Sequence, residues 1–159
     1  MKIEEEIGRL LRHKKLTISV AESCTGGLIS HLITNVAGSS DYFERGYVVY
    51  SNRSKTELLG VPEEIIKKYG AVSSNTAIIM AEGAKIKSNT DIGLSVTGIA
   101  GPWGGTRQKP VGLIYIAVAG YGKTECKKYR FVGDRGKIKL KSAKAALECL
   151  RDYLQITNN

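Results

Sequence analysis

The stretch Ala21-Glu22-Ser23-Cys24-Thr25-Gly26-Gly27 separates an apolar alternating segment from one with helical spacing. Leu16, Ile18 and Val20 precede it, and Leu28, Ile29, Leu32, Ile33 and Val36 follow it. This is the pattern of a strand that enters a tight loop and leaves as an amphipathic helix. Such junctions are the repeating unit of layered α/β domains. They bring unpaired backbone N–H groups and the positive end of a helix to one pocket, where Ser23, Thr25, Gly26 and Gly27 suit an anion or a developing oxyanion. The competing reading of these small polar residues is a helix cap and nothing more.

Outward from this junction the alternation continues. Residues 3–13 read as a helix with Ile3, Ile7, Leu10 and Leu11 on one face, residues 17–21 as the first strand and residues 25–36 as the second helix. Residues 43–51 alternate and are rich in Tyr and Val, as a strand requires. Asn52 is placed to cap a short helix carrying Lys55, which Gly60-Val61-Pro62 ends before another begins at Glu63. Residues 73–87 repeat Ala, Ile and Met at helical spacing. Residues 92–97, 112–119 and 126–132 read as strands and residues 137–154 as a closing helix. Five strands among helices predict a three-layer α/β/α sandwich.

The 159 residues suffice for one sizeable core, so a single domain over residues 1–159 is expected. No apolar run approaches the roughly 20 residues of a membrane span, and Met1-Lys2-Ile3-Glu4-Glu5-Glu6 is too acidic for a signal peptide. A cytoplasmic protein without membrane association is expected. Cys24, Cys126 and Cys149 are too few and too scattered for a disulfide framework or paired zinc ligands, and read as free thiols.

The net charge of +9 is concentrated locally. Residues 123–144 hold nine Lys or Arg against Glu125 and Asp134, whereas the rest of the chain holds fifteen against thirteen acidic residues. Such a patch attracts phosphorylated small molecules as well as polynucleotides. The segment shows neither aromatic-basic interleaving of the single-strand-binding kind nor a recognition-helix motif, so Lys137, Lys141 and Lys144 read as a solvated helix face and nucleic acid is not an expected partner.

Between Gly98 and Gly112 lies a long glycine-rich loop, Gly-Ile-Ala-Gly-Pro-Trp-Gly-Gly-Thr-Arg-Gln-Lys-Pro-Val-Gly. Unstructured loops of this length in compact domains are usually functional. Gly98, Gly101, Gly104 and Gly105 allow close approach of a ligand, while Pro102 and Pro110 limit flexibility. No Gly-Lys-Ser or Gly-Lys-Thr follows, which excludes a Walker loop.

Taken in order, residues 21–27, Ala37-Gly38-Ser39-Ser40, Gly46-Tyr47-Val48-Val49-Tyr50-Ser51-Asn52 with Lys55, Gly70-Ala71-Val72-Ser73, Thr97-Gly98-Ile99-Ala100-Gly101-Pro102, Lys109-Pro110-Val111-Gly112 and Gly133-Asp134-Arg135 resemble the C-terminal domain of the CinA family over almost the whole chain. The resemblance implies a mixed, mostly parallel five-stranded sheet and a stand-alone nicotinamide-nucleotide amidase. Such an enzyme hydrolyses the carboxamide of nicotinamide mononucleotide to nicotinate mononucleotide and ammonia. A homo-oligomer is expected, and no cofactor. The chain departs from the family at Trp103, where a small or acidic residue is usual. An indole there either stacks on a pyridine ring or narrows the pocket.

Amide hydrolysis needs a nucleophile, a base and oxyanion donors. His13 and His31 are the only histidines and both read as surface residues, which argues against a Ser-His-Asp triad. A serine with a lysine base remains, and Lys55 occupies the matching family position; it must be partly buried, or stand beside another positive group, to lose its proton near neutral pH. Tyr50 is placed to relay or orient that proton. Two serines compete for the nucleophile. The resemblance favours Ser40, although Ser39-Ser40-Asp41 also reads as a plain turn, and Ser23 and Thr25 then become substrate or oxyanion ligands with Thr97 as a further donor. Arg135 is expected on the 5′-phosphate, its alternatives being an exposed ion pair with Asp134 or a helix-start arginine. No cluster of His, Cys or carboxylates has metal-ligand spacing, so metal-independent chemistry is expected. A non-catalytic nucleotide-binding module and a nucleic-acid-associated competence protein are the alternatives to an enzyme.

Overall fold

The computed structural model describes residues 1–156. In chain order its elements are α1 (Ile3–Lys14), β1 (Ile18–Glu22), α2 (Leu28–Thr34), a 3₁₀ turn (Ser39–Asp41), β2 (Phe43–Val48), α3 (Asn52–Leu59), α4 (Glu63–Tyr69), α5 (Ser74–Ser88), β3 (Ile92–Gly98), β4 (Leu113–Ala119), β5 (Thr124–Arg130) and α6 (Arg135–Ile156). The strands form one mixed sheet in the order β2-β1-β3-β4-β5. β1 runs parallel to β2 and β3, while β4 is antiparallel to both its neighbours, so four of the five strands point the same way.

The two faces of the sheet carry different residues, and this sets the two helical layers. Branched side chains such as Ile18, Val20, Leu94, Val96, Ile114 and Ile116 point to one face and pack with Ile7, Leu11, Ile29, Ile138, Leu147 and Leu150 of α1, α2 and α6. The other face is lined by small residues, among them Ala21, Ala117 and Ala119, against Ala77, Met80, Ala81 and Ala84 of α5. Small residues on both sides let α5 approach closely: Ser95 Oγ donates to Ala77 O at 2.6 Å, and a Cβ on Gly93 would run into Ala81 O. The result is the α/β/α sandwich that the alternation of elements predicts.

The boundaries that differ from expectation do so for local reasons. α2 begins at Leu28 because Gly26 and Gly27 adopt φ of +60° and +108°, outside the helical region. The cap of α3 is Ser51, whose Oγ accepts from Ser54 N at 3.0 Å, one residue before the expected Asn52. β5 lies two residues earlier than residues 126–132, paired from Thr124 to Arg130 with β4. The glycine-rich loop is anchored: Ile99 N donates to Leu113 O, Gly112 N to Ile99 O and Thr106 N to Lys109 O, and Lys109 Nζ bonds Tyr69 O. All three cysteines are free. No helix among the described residues is long and apolar enough to cross a membrane.

Candidate active site

The carboxyl ends of β1 and β3 lie side by side at one edge of the sheet, and the chain leaves β1 toward β2 on one side and later returns to β3 on the other. Parallel strands that diverge in this way open a crevice at their carboxyl ends. Ser23 sits there, directly after β1, with its N–H donated to Val96 O at 3.1 Å. Only 7% of its surface is exposed.

α3 brings Lys55 to the same point. The side chain is 1% exposed, and its Nζ donates to Ser23 Oγ at 2.9 Å, to Val49 O at 2.8 Å and to Tyr50 O at 3.0 Å. The two carbonyls occupy two of the tetrahedral positions around Nζ and the third faces Ser23. When Lys55 is charged that position is an N–H; when it is neutral it is a lone pair directed at the serine hydroxyl. Burial lowers the lysine pKa from 10.5 to about 8, with proximity to Cys24 opposing the shift. At pH 7.5 about a quarter of such lysines are neutral, against about one in a thousand for an ordinary lysine. The neighbouring Cys24 is no rival nucleophile, since burial pushes its thiol up to about 12 and keeps it protonated.

Ser40 is not brought to Lys55. It lies exposed in the 3₁₀ turn before β2, next to Asp41, whose carboxylate pairs with Arg12 at 3.2 Å. Because β1 and β2 are parallel and Ile18 pairs with Phe43, a residue preceding β2 falls at the amino edge of the sheet. Ser23 follows β1 at the carboxyl edge, roughly 16 Å away along the strand.

The other expected ligands are redistributed. Tyr50 orients Lys55 through its carbonyl, whereas its phenol accepts from Arg135 Nη2 at 2.9 Å, so no proton relay from the ring to Lys55 is built. Thr97 Oγ1 donates to Ala71 O at 2.8 Å and Thr25 Oγ1 to Glu22 Oε1 at 2.7 Å, which commits both hydroxyl protons within the protein. The first free amides of α2 are also taken: Ile29 N and Ser30 N donate to the Glu22 carboxylate at 2.8 and 3.0 Å. Among the described residues this leaves the N–H groups of Thr25 and Gly27 without a protein acceptor, while that of Cys24 faces only its own thiol. Gly26 and Gly27 give the loop its left-handed turn.

In the long loop Gly98 belongs to β3, and its lack of a side chain makes room for Ile114 and Leu113 O; Gly101 and Gly105 make room for Val111 in the same way. Gly104 has φ of +90° beside an 86% exposed Trp103. Arg135 joins this loop to the site, donating through Nη1 to Gly101 O at 2.7 Å and through Nη2 to the Tyr50 phenol. One turn further along α6, the Lys139 ammonium lies 3.7 Å from where a Cβ on Gly26 would be. Sequence inspection passed over Lys139, yet its i, i+4 relation to Arg135 marks a shared helix face. Lys139 thus borders the loop that carries Ser23 while Arg135 ties Tyr50 to the glycine-rich loop, and no group of three or more metal-ligating side chains occurs among the described residues. A separate cavity of about 480 Å³ is lined by Glu82, Lys85, Gly120 and Thr124, and there Thr124 Oγ1 donates to Glu82 Oε1 at 2.9 Å.

With this geometry established, comparison places the chain in a family. Residues 1–154 match the CinA C-terminal domain, and the chain belongs to that family. It is 53% identical over 152 residues to a CinA-like protein of Kosmotoga olearia and 54% identical over 149 residues to one of Dictyoglomus thermophilum, covering 96% and 94% of this chain but 37% and 36% of those proteins. The chain thus spans little more than a third of the curated relatives it matches. Two crystal structures share the fold over nearly their full length. The competence/damage inducible protein CihA from Agrobacterium tumefaciens has a TM-score of 0.90 at 42% identity, covering 96% of this chain and 95% of its own. The competence damage-inducible protein A (ComA) from Klebsiella pneumoniae has 0.93 at 31%, with the same coverage.

Proposed function

We propose that the chain is a serine-lysine amidohydrolase that converts the carboxamide of nicotinamide mononucleotide to the carboxylate, releasing ammonia. The observation that carries this reading is the 2.9 Å contact between the buried Lys55 Nζ and the buried Ser23 Oγ. Ser23, rather than Ser40, is the nucleophile. Neutral Lys55 takes the hydroxyl proton as Ser23 Oγ bonds to the carboxamide carbon, and the carbonyl electron pair moves onto oxygen. The amides of Thr25 and Gly27 are the candidate donors to that oxyanion. The pair returns as the C–N bond breaks, and the Lys55 ammonium protonates the departing nitrogen. Water then attacks the acyl ester with Lys55 again as base, restoring Ser23 and releasing nicotinate mononucleotide.

Two cations, Arg135 and Lys139, favour a substrate with a phosphate monoester, and the exposed indole of Trp103 offers a face for a pyridine ring. The test is ammonia release by the purified chain with nicotinamide mononucleotide, nicotinamide riboside and nicotinamide in parallel. Turnover of the mononucleotide that disappears in Ser23→Ala and Lys55→Ala is expected; equal turnover in Ser23→Ala rejects the mechanism.

A further inference from the structure

The buried carboxylate of Glu22 has no part in the proton transfers just described. It ends β1, is 0% exposed and directly precedes Ser23. Oε1 accepts from Thr25 Oγ1 at 2.7 Å and Ile29 N at 2.8 Å; Oε2 accepts from Ser30 N at 3.0 Å and Ser30 Oγ at 2.8 Å. All four bonds reach forward across the nucleophile loop. Meanwhile the Glu22 carbonyl accepts from Val49 N at 2.8 Å, at the strand end from which Val49 O and Tyr50 O hold Lys55.

Helices usually take their cap from the residue at their own N-terminus, but here that residue is Gly27, which has no side chain to offer. The cap comes instead from the strand. One residue therefore fixes both ends of the loop, through its main chain in the sheet and its carboxylate on α2, with Ser23 between the two anchors. The same arrangement commits the first amides of α2 to Glu22 and leaves those of Thr25 and Gly27 unpaired.

Resting on the assignment of Ser23 as nucleophile, we infer that Glu22 is the positioning residue of the nucleophile loop: its carboxylate sets the register between Ser23 Oγ and Lys55 Nζ and the orientation of the Thr25 and Gly27 amides. Glu22→Gln has the same shape but turns one acceptor into a donor. That donor must face either Ile29 N or Ser30 N, both of which also donate, so the loop shifts at one end.

The experiment measures steady-state kinetics, thermal melting and the rate at which a fluorophosphonate labels Ser23, in wild type, Glu22→Gln, Glu22→Asp and Ser30→Ala. Glu22→Gln should lower both kcat and the labelling rate by about 100-fold, the effect of misplacing a reacting atom by an ångström, while KM changes little. Glu22→Asp keeps the charge and both acceptors and should recover part of that loss; it also carries the test if the glutamine variant does not fold. Ser30→Ala removes one of the four donors but keeps Ser30 N on Oε2, and should lower kcat and labelling less than Glu22→Gln does. A folded Glu22→Gln with a lower melting temperature but wild-type kcat and labelling would make Glu22 a helix cap only and overturn the inference. A wild type that is neither labelled nor active removes the Ser23 assignment itself, and the inference falls with it.

Discussion

Lys55 and Ser23 are 32 residues apart in sequence and 2.9 Å apart in space. The contact is made by α3, which returns the chain from the end of β2 to the end of β1. Carbonyls of Val49 and Tyr50 take two of the lysine's donor positions, so the third has a single direction available, toward the serine. Burial keeps a neutral fraction present near pH 7.

The pH profile follows from that burial. With the Lys55 pKa lowered to about 8, kcat/KM should rise with unit logarithmic slope below about pH 8 and level off above it. Initial rates from about pH 6 to 10 check this. A profile flat across that range would remove Lys55 as the base.

The same shift acts on stability, with a defined sign. Between about pH 8 and 10.5 the unfolded chain binds a proton at Lys55 that the folded chain has lost, so stability rises with pH across this window. Lys55→Met lacks that contribution. The difference in unfolding free energy, wild type minus variant, should rise by roughly 3 kcal/mol over the window in urea titrations.

Truncating the serines separates their roles. Ser23→Ala should lower kcat by several orders of magnitude, and adding Lys55→Ala should make it hardly worse, because groups acting as one unit are strongly non-additive. Ser40→Ala should leave kcat within about two-fold, the usual outcome of an exposed substitution away from the site. Loss of activity in Ser40→Ala with correct folding would reverse the assignment.

Phosphate recognition should depend on α6. Arg135→Ala and Lys139→Ala should each raise KM for nicotinamide mononucleotide by roughly 10- to 100-fold, the magnitude of a lost charge-assisted hydrogen bond, with kcat less affected. Any turnover of the riboside, which has no phosphate, should be insensitive to Lys139→Ala. Equal sensitivity of both substrates would place Lys139 elsewhere in the mechanism.

Trp103 is the only tryptophan and is 86% exposed, so the chain carries a single fluorescent reporter at its long loop. Nicotinamide mononucleotide should quench its emission through ring stacking, in proportion to occupancy of the site. Unchanged emission at saturating ligand would exclude stacking.

The order of elements was legible because apolar spacing changes from two to about 3.6 at each junction. With His13 and His31 read as surface residues, as their exposure bears out, a lysine base remained and the resemblance singled out Lys55 among the lysines; the structure buries it against Ser23. Ser40 lies apart from Lys55 for a reason that motif resemblance does not carry, namely which sheet edge a loop occupies. The parallel pairing of β1 and β2 decides that, and it sends the turn before β2 away from the loop after β1. The roles of Thr25 and Thr97 were hidden for another reason: a hydroxyl that looks free in sequence can be committed to a buried partner, here Glu22 and the carbonyl of Ala71.

Helix α6 runs from Arg135 to Ile156, a rod about 33 Å long at 1.5 Å per residue. Its leading turns carry both cations of the site, and its body packs on α1 and α2 through Ile7, Leu11, Leu147 and Leu150. Interiors this closely packed transmit displacement instead of absorbing it. Arg135 and Lys139 therefore project from the leading turns of a rod whose seat on the sheet is shared with the amino-terminal helix through Ile7 and Leu11.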